Sequence, residues 1–507
     1  MKFKKLSKAE LYFLAMLIAT FLLGLIVELS DDEAYYWSWS LRPDLSYFDH
    51  PPLQAWTTAL SAGLFGKNNF AVRLPATLFL FFSGLLLLRL AKKNKVQDSA
   101  LWICLNSPTF YIFSWIILPD ICFLPLALLS LYLAENKKYF RAGISSGFAL
   151  LAKWHGLLIL PAVSFSILFK EKESFRIKIK NLLSYLLPAC ILQTPVLIWN
   201  ARHNWEPFYY HFVKRHAHHS HKIGDLLKNG FSFVGVFLVL MGFGLIYLAF
   251  QYLKNSLQNK KFAFKKEDLF LLAYAAPFLG IFGLSALNGE TRVYWTCFAI
   301  YPLSIFLLKH AKPKEIAIFQ KISQKTFLIL TPIVFAVLLL PVGYAIQPIV
   351  EIFRTYDLRM SPRGDFKGWK EWGEKTLQSL DTPKDKILFI AADFRLASQL
   401  LWNMPLTLEN VHCIDNHNQY KTWTAPDSRK FTKAIFVGDN RHGLEKERFQ
   451  SICKHPLEWK ESETLLLRKP IKLISESECR DLNHEEYAAL MNLSLTTSSA
   501  APKNKTP

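Results

Sequence analysis

The chain reads as a polytopic α-helical membrane protein with about eleven transmembrane helices, followed by a soluble α/β domain. Three observations predict this class. Long apolar runs recur from the first residues to about Tyr344. The 507 residues are 51% hydrophobic and 15% aromatic, a composition closer to a membrane protein than to a soluble chain of that length. Much of the Lys and Arg lies in short clusters between the apolar runs, where it sets topology. The net charge of +20 is therefore read as topology, so the expected partners are membrane lipids and no nucleic acid.

Spans are predicted near 9–29, 70–90, 99–118, 119–134, 142–152, 155–169, 180–199, 230–252, 268–287, 293–309 and 325–344. Lys2, Lys4, Lys5 and Lys8 precede the first run without a small-residue cleavage site after it, so it is expected to be an uncleaved span. The connections around Lys92, Lys137, Lys170 to Lys180, Lys254 to Lys266 and Lys309 to Lys325 are basic, and all share a side with the N-terminus. That side is the cytoplasm by the positive-inside rule. Between Arg141 and Lys170 there is room for only two short segments, whose outward tip is Lys153-Trp154-His155-Gly156. Residues 51–69 are too few to span. Leu53, Trp56, Leu60 and Leu64 at helical spacing make them an interfacial or a packed helix.

The first domain is thus expected over 1–344, an exported α/β domain over 345–493 and a disordered tail over 494–507. Strands are expected at 386–391, 434–437 and 465–467, and helices at 369–380 and 394–401. Cys413, Cys453 and Cys479 allow one bridge and one leftover, with three pairings open.

Chemistry concentrates in the outward connections. The first holds Asp31-Asp32-Glu33-Ala34-Tyr35-Tyr36-Trp37, then Asp49-His50-Pro51-Pro52. The aromatics suit a membrane interface, but adjacent carboxylates beside a bilayer are costly unless they work. Later connections add Asp120, Lys153, His155, Arg202, His203, Glu290 and Arg292. Asp120 is either a helix cap or a functional acid. Carboxylates can take a proton from a hydroxyl, and Lys or Arg can hold a phosphate as charge accumulates on it. No Gly-rich phosphate loop is present, so a cytosolic nucleotide is not the expected energy source. The segment Lys214 to His221 suits an anionic glycolipid or is a solvated loop; a zinc site at His216, His218, His219 and His221 ranks below both.

The run from Asp32 to Trp37 and Leu45-Ser46-Tyr47-Phe48-Asp49-His50-Pro51-Pro52 resembles the opening motif of bacterial GT-C glycosyltransferases. These are relatives of the dolichyl-phosphate-mannose protein mannosyltransferases and of the aminoarabinose transferase that modifies lipid A. Phe70-Ala71-Val72-Arg73-Leu74-Pro75-Ala76, Pro119-Asp120, Leu151-Ala152-Lys153, Trp199-Asn200, His203-Asn204-Trp205 and Gly368-Trp369 continue it in order. The resemblance implies a GT-C fold in the bacterial inner membrane. It implies inverting transfer of one sugar from a polyprenyl-phosphate carrier on the periplasmic face, where the C-terminal domain also lies. It maps the catalytic carboxylate onto Asp32 and a second acid onto Asp120. Lys153 looks like a donor-phosphate ligand, with Arg292 as a lesser one. Glu33 would orient or ligate, and Tyr35, Tyr36, Asp49, His50, His155, His203 and Glu290 would line the substrates. The expected acceptor is lipid A or a related envelope glycolipid. A polypeptide hydroxyl is the alternative, and a transporter or flippase is the rival outside enzymes. No cofactor is firmly expected; a divalent metal stays open, with no metal ligands assigned.

Overall fold

The computed structural model describes residues 6–113, 116–169, 173–214, 223–260, 266–287, 293–339, 367–415, 418–423, 425–440, 445–455, 457–466 and 469–496. Its helices are α1 (Lys8–Ile26), α2 (Asp31–Trp39), α3 (Leu53–Phe65), α4 (Asn69–Lys93), α5 (Ala100–Asn106), α6 (Pro108–Phe113), α7 (Pro119–Glu135) and α8 (Tyr139–Ala152). They continue as α9 (Ile159–Leu168), α10 (Phe175–Ile191), α11 (Thr194–Arg202), α12 (Glu206–Phe212), α13 (Ile223–Met241), α14 (Phe243–Gln258), α15 (Lys266–Leu287), α16 (Cys297–His310) and α17 (Pro313–Leu339). The C-terminal part adds α18 (Trp369–Ser379), β1 (Ile387–Ala391), α19 (Phe394–Asn403), β2 (Val411–Cys413), α20 (Gln419–Thr422), β3 (Lys433–Asp439), α21 (Lys446–Ser451), β4 (Trp459–Leu466), β5 (Lys469–Cys479) and α22 (His484–Thr496).

The chain divides into two compact units. One comprises Met1–Ile26, Asp44–Ser46 and His50–Val334; the other comprises Val27–Pro43, Tyr47–Asp49 and Phe335–Pro507. The division is not linear, because α2 belongs to the second unit, where it packs on α19.

In the first unit, four helices among the described residues are long and apolar enough to cross a membrane: α1, α4, α13 and the Asp268–Leu287 part of α15. The pair α10–α11, bent by 43°, makes a fifth if it counts as one span. Besides 180–199, which bends between α10 and α11, two further expected spans are broken. The 99–118 segment stops at Ser107, and the 230–252 segment turns at Gly242 with φ 80°. Asn106 explains both breaks: its Nδ2 donates to Met241 O (2.7 Å) and its Oδ1 accepts from Gly244 N (2.7 Å). Ser107 Oγ donates to Leu240 O (2.8 Å). Polar side chains thus satisfy backbone groups that the breaks release, which an apolar environment requires. A Cβ on Gly242 would meet Asn106 O, so only glycine fits that turn. The last expected span also starts earlier, at Pro313, because Glu315 accepts from Lys312 N (2.8 Å) and begins the helix there.

Helix α3 settles the reading of residues 51–69 as helical. Its polar Gln54, Thr58 and Ser61 are buried, while Leu60 and Leu64 are exposed. Gln54 Nε2 donates to Thr58 Oγ1 (3.0 Å). Apolar side chains outward and polar ones inward is the arrangement expected of a helix facing lipid. Helices α7, α8 and α10 pack through small residues. Ser130 Oγ lies 2.6 Å from Ser146 Oγ, which lies 2.8 Å from Tyr185 Oη. Gly143 sits against the Tyr185 carbonyl, so the backbones approach closely.

The second unit is built on a five-stranded sheet of order β2-β1-β3-β5-β4. β1 pairs parallel with β2 and β3, while β5 pairs antiparallel with β3 and β4. β1 and β3 are buried along their whole length, as the apolar runs Ile387–Ala391 and 434–437 require of central strands. The expected strands at 386–391 and 434–437 and both expected helices occur here. The third expected strand, 465–467, falls at the end of β4, and Leu467 lies outside the described residues. Helix α22 runs to Thr496, three residues into the stretch expected as a tail; 497–507 lie outside the described residues.

Cys453 bridges Cys479, leaving Cys413 buried and reduced. Since the bridge closes a loop of 26 residues, replacing both cysteines by Ser is expected to cost about 3 kcal/mol, read as a lower denaturant midpoint for this unit. Burial depresses the His412 imidazole to about 4. A histidine depressed in the folded state disfavours folding once protonated. Stability should therefore fall as pH drops from about 6.5 toward 4, by roughly 3 kcal/mol in all. Melting curves of His412→Phe across that window should be flatter than those of the parent chain.

Candidate active site

Two clusters, one in each unit, contain most of the singled-out residues that fall among the described ones. In the second unit, Ser30 begins α2 through a capping box. Ser30 Oγ accepts from Glu33 N (3.2 Å), and Glu33 Oε2 accepts from Ser30 N (3.0 Å). Successive helical residues point about 100° apart, so the three adjacent acids diverge. Glu33 is fully buried in the cap. Asp31 is 3% exposed and accepts from Gln399 Nε2 (2.8 Å) and Trp369 Nε1 (3.2 Å). Asp32 alone faces outward, with its side chain 55% exposed.

Asp32 Oδ1 accepts from Arg395 Nε at 3.1 Å. Arg395 opens α19, directly after β1. The cap Asp393 accepts from its backbone N (2.7 Å) and from Nη1 (3.3 Å). Burial opposes the guanidinium charge, but the Asp32, Asp393 and Asp31 carboxylates outweigh it and raise the arginine above its ordinary value. Sequence reading missed Arg395. The available signal was Asp393-Phe394-Arg395 just beyond a parallel strand, where open α/β sheets place ligand-binding groups.

Tyr35 and Asp49, both expected to touch substrate, hydrogen-bond each other: Tyr35 Oη donates to Asp49 Oδ2 (2.6 Å) and accepts from Gln419 N (2.8 Å). Burial first, then the Asp49 charge, pushes the phenol well above its ordinary value. Tyr36 is half-buried, its ring 5.0 Å from that of Trp39.

In the first unit, Lys153 ends α8 in an extended conformation, and a 3-10 turn over Trp154–Leu158 follows. Gly156 lets that turn fold back on Leu150, where a Cβ would collide with the backbone. The Lys153 ammonium, 1% exposed, pairs with the Asp120 carboxylate. It also lies 5.7 Å from the Tyr294 ring and 5.9 Å from the Trp295 ring. Asp120 sits in the first turn of α7 behind Pro119, and the cap position is Leu118 without a side-chain bond. Of its two readings, the cap is therefore not the one observed.

His155 lies beside the rings of Phe282 (4.6 Å) and Trp295 (5.5 Å), with its Nε2 buried and without a hydrogen bond among the described residues. His50 is half-buried in the same unit. His203 closes α11: its ring stacks on Trp199 at 3.9 Å and its Nδ1 lies 2.8 Å from Trp199 O. The Trp199 indole donates to Asp44 Oδ2 (2.9 Å). Glu290, Arg292 and the histidines at 216, 218, 219 and 221 lie outside the described residues.

Residues 49–199 match the family described as dolichyl-phosphate-mannose-protein mannosyltransferase. A lipid A galacturonosyltransferase, RgtD, from Rhizobium johnstonii is 24% identical over 304 residues, 56% of this chain and 61% of that protein. An undecaprenyl phosphate-alpha-4-amino-4-deoxy-L-arabinose arabinosyl transferase from Wigglesworthia glossinidia brevipalpis is 31% identical over 146 residues, 26% of each chain. The crystal structure of apo ArnT from Cupriavidus metallidurans superposes with a TM-score of 0.58 at 13% identity, covering 92% of this chain and 97% of that one. By sequence and by fold the chain resembles the ArnT-like GT-C glycosyltransferases. The match spans 61% or less of the curated relatives' lengths. A structure of the same Cupriavidus protein bound to undecaprenyl phosphate superposes with a TM-score of 0.56.

The buried pair in the first unit has a checkable energetic signature. Lys153→Met alone strands the Asp120 charge and should cost about 3–5 kcal/mol, whereas Lys153→Met with Asp120→Leu should recover much of that loss. Thermal melting of the parent chain and both variants in detergent reads the loss and its recovery.

Proposed function

We propose that this protein is an inverting glycosyltransferase that moves one sugar from a polyprenyl-phosphate carrier to lipid A or a related envelope glycolipid. The observation that carries the reading is Asp32: of three consecutive acids it alone turns outward, with Arg395 Nε 3.1 Å from its Oδ1. An outward-facing carboxylate can reach an acceptor hydroxyl as general base. The acceptor oxygen attacks the anomeric carbon, its proton passes to Asp32, and the bond from that carbon to the phosphate oxygen breaks. The polyprenyl phosphate leaves with the electron pair. Configuration inverts because attack and departure occur on opposite faces in a single displacement.

Asp120 and Lys153 form the proposed donor-phosphate group. The ammonium neutralises charge on the departing phosphate, while Asp120 and the neighbouring rings hold it in place. Arg292 is proposed as a second phosphate contact, and His50, His155, His203, Glu290 and Tyr36 as substrate wall. Glu33, Tyr35 and Asp49 would act through the position of α2. No step needs a metal, since the phosphate is already a good leaving group; a divalent ion stays an alternative in donor binding.

We place the reaction at the periplasmic face of the inner membrane, with the N-terminus cytoplasmic and the region 345–493 exported. The Cys453–Cys479 bridge supports that side, because such bridges persist in oxidising compartments. Both lipid A-modifying and undecaprenyl-phosphate-dependent relatives support the substrate classes.

Purified protein in detergent, mixed with polyprenyl-phosphate-linked pentoses and hexoses and with lipid A or a peptide, tests the reading. Mass spectrometry should detect sugar on lipid A and none on the peptide. Asp32→Asn should abolish transfer while the protein stays folded, and Arg395→Met should lower turnover more than donor affinity. Full transfer by Asp32→Asn would remove it as the base.

A further inference from the structure

The second unit contains a cleft of about 980 Å³ that the reading above does not use. It runs from His412 on β2, past Lys421 and Trp423, to the first turns of α22. That volume is sufficient for a small ligand rather than a few waters. We propose that this cleft is a saccharide-binding site.

Its lining has the required chemistry. Tyr487 is 2% exposed, and its buried hydroxyl has no hydrogen-bond partner among the described residues. A buried donor left unpaired is costly, and a ligand hydroxyl in the cleft would satisfy it. Ser428, also buried, lies 3.0 Å from His484 Nδ1 through its hydroxyl, and Asn483 adds an amide to the same wall. Trp423 supplies an aromatic surface. Its ring is held by Tyr420 at 5.1 Å and by the Arg42 guanidinium at 5.9 Å. Aromatic surface beside hydroxyl, amide and imidazole groups matches a sugar, which has apolar C–H faces and a rim of hydroxyls.

The charges argue against a simple anion site. Arg429 pairs with Asp427 (2.9 Å) and Lys454 with Asp481 (3.1 Å), so these exposed cations already have carboxylate partners. Glu485 in the same lining adds negative charge. The proposal does not depend on the transfer reaction, although α20 links the two regions: Gln419 holds Tyr35, while Lys421 and Thr422 line the cleft.

Saturation-transfer NMR on the full chain, in a detergent without sugar headgroups, tests this directly. The probe is the neutral disaccharide N,N′-diacetylchitobiose, with inorganic phosphate as competitor. Saturation transfer to the disaccharide that phosphate does not displace is expected. Tyr487→Phe should weaken binding about three- to tenfold, the loss of one hydrogen bond, without lowering the melting temperature. Trp423→Ala should abolish it. Absence of transfer to the disaccharide, displacement by phosphate, or unchanged affinity in both variants would overturn the assignment.

Discussion

The Ser30–Glu33 capping box is the constraint on which the second-unit site depends. Three adjacent carboxylates would repel one another if they pointed the same way. Starting a helix at Asp31 separates them by the helical twist and gives each a different environment. One acid is consumed by the cap and another by the Trp369 and Gln399 donors; the third turns outward. The cap itself is worth only about 1 kcal/mol, yet it determines which carboxylate faces outward. The negative first turn also complements the positive end of the helix dipole.

The same logic places Arg395. Asp393 caps α19 and bonds the arginine's own side chain, so the guanidinium is oriented before it meets Asp32. An oriented ion pair on a rigid strand-to-helix junction holds a side chain more precisely than an exposed loop pair would. In the first unit, the Lys153–Asp120 pair is similarly built on helix ends. The glycine turn after Lys153 and the rings around it exclude water from the ammonium.

Several residues that looked chemical in the sequence have structural work. Glu33 closes a cap, Tyr35 and Asp49 bond each other, and His203 stacks on its own helix. Conversely, Arg395 carried only a faint signal because it lies 363 positions from its partner. Asn106 was invisible for a similar reason: a lone amide in an apolar run does not announce that it will accept and donate to a backbone break 135 residues away.

The sequence by itself determined the class and the chemistry on offer. Apolar runs with basic flanks, the strand patterns of 386–391 and 434–437, and the acidic aromatic motif at Asp31 to Pro52 are local properties of the chain. Periodicity and composition report local properties well. Tertiary structure alone decided that α2 packs on α19 in the second unit, that Asp32 faces Arg395, that Lys153 meets Asp120, and that Cys453 joins Cys479. Each of these depends on a pairing between distant residues, and pairing is settled by which buried charges, donors and acceptors can be satisfied together.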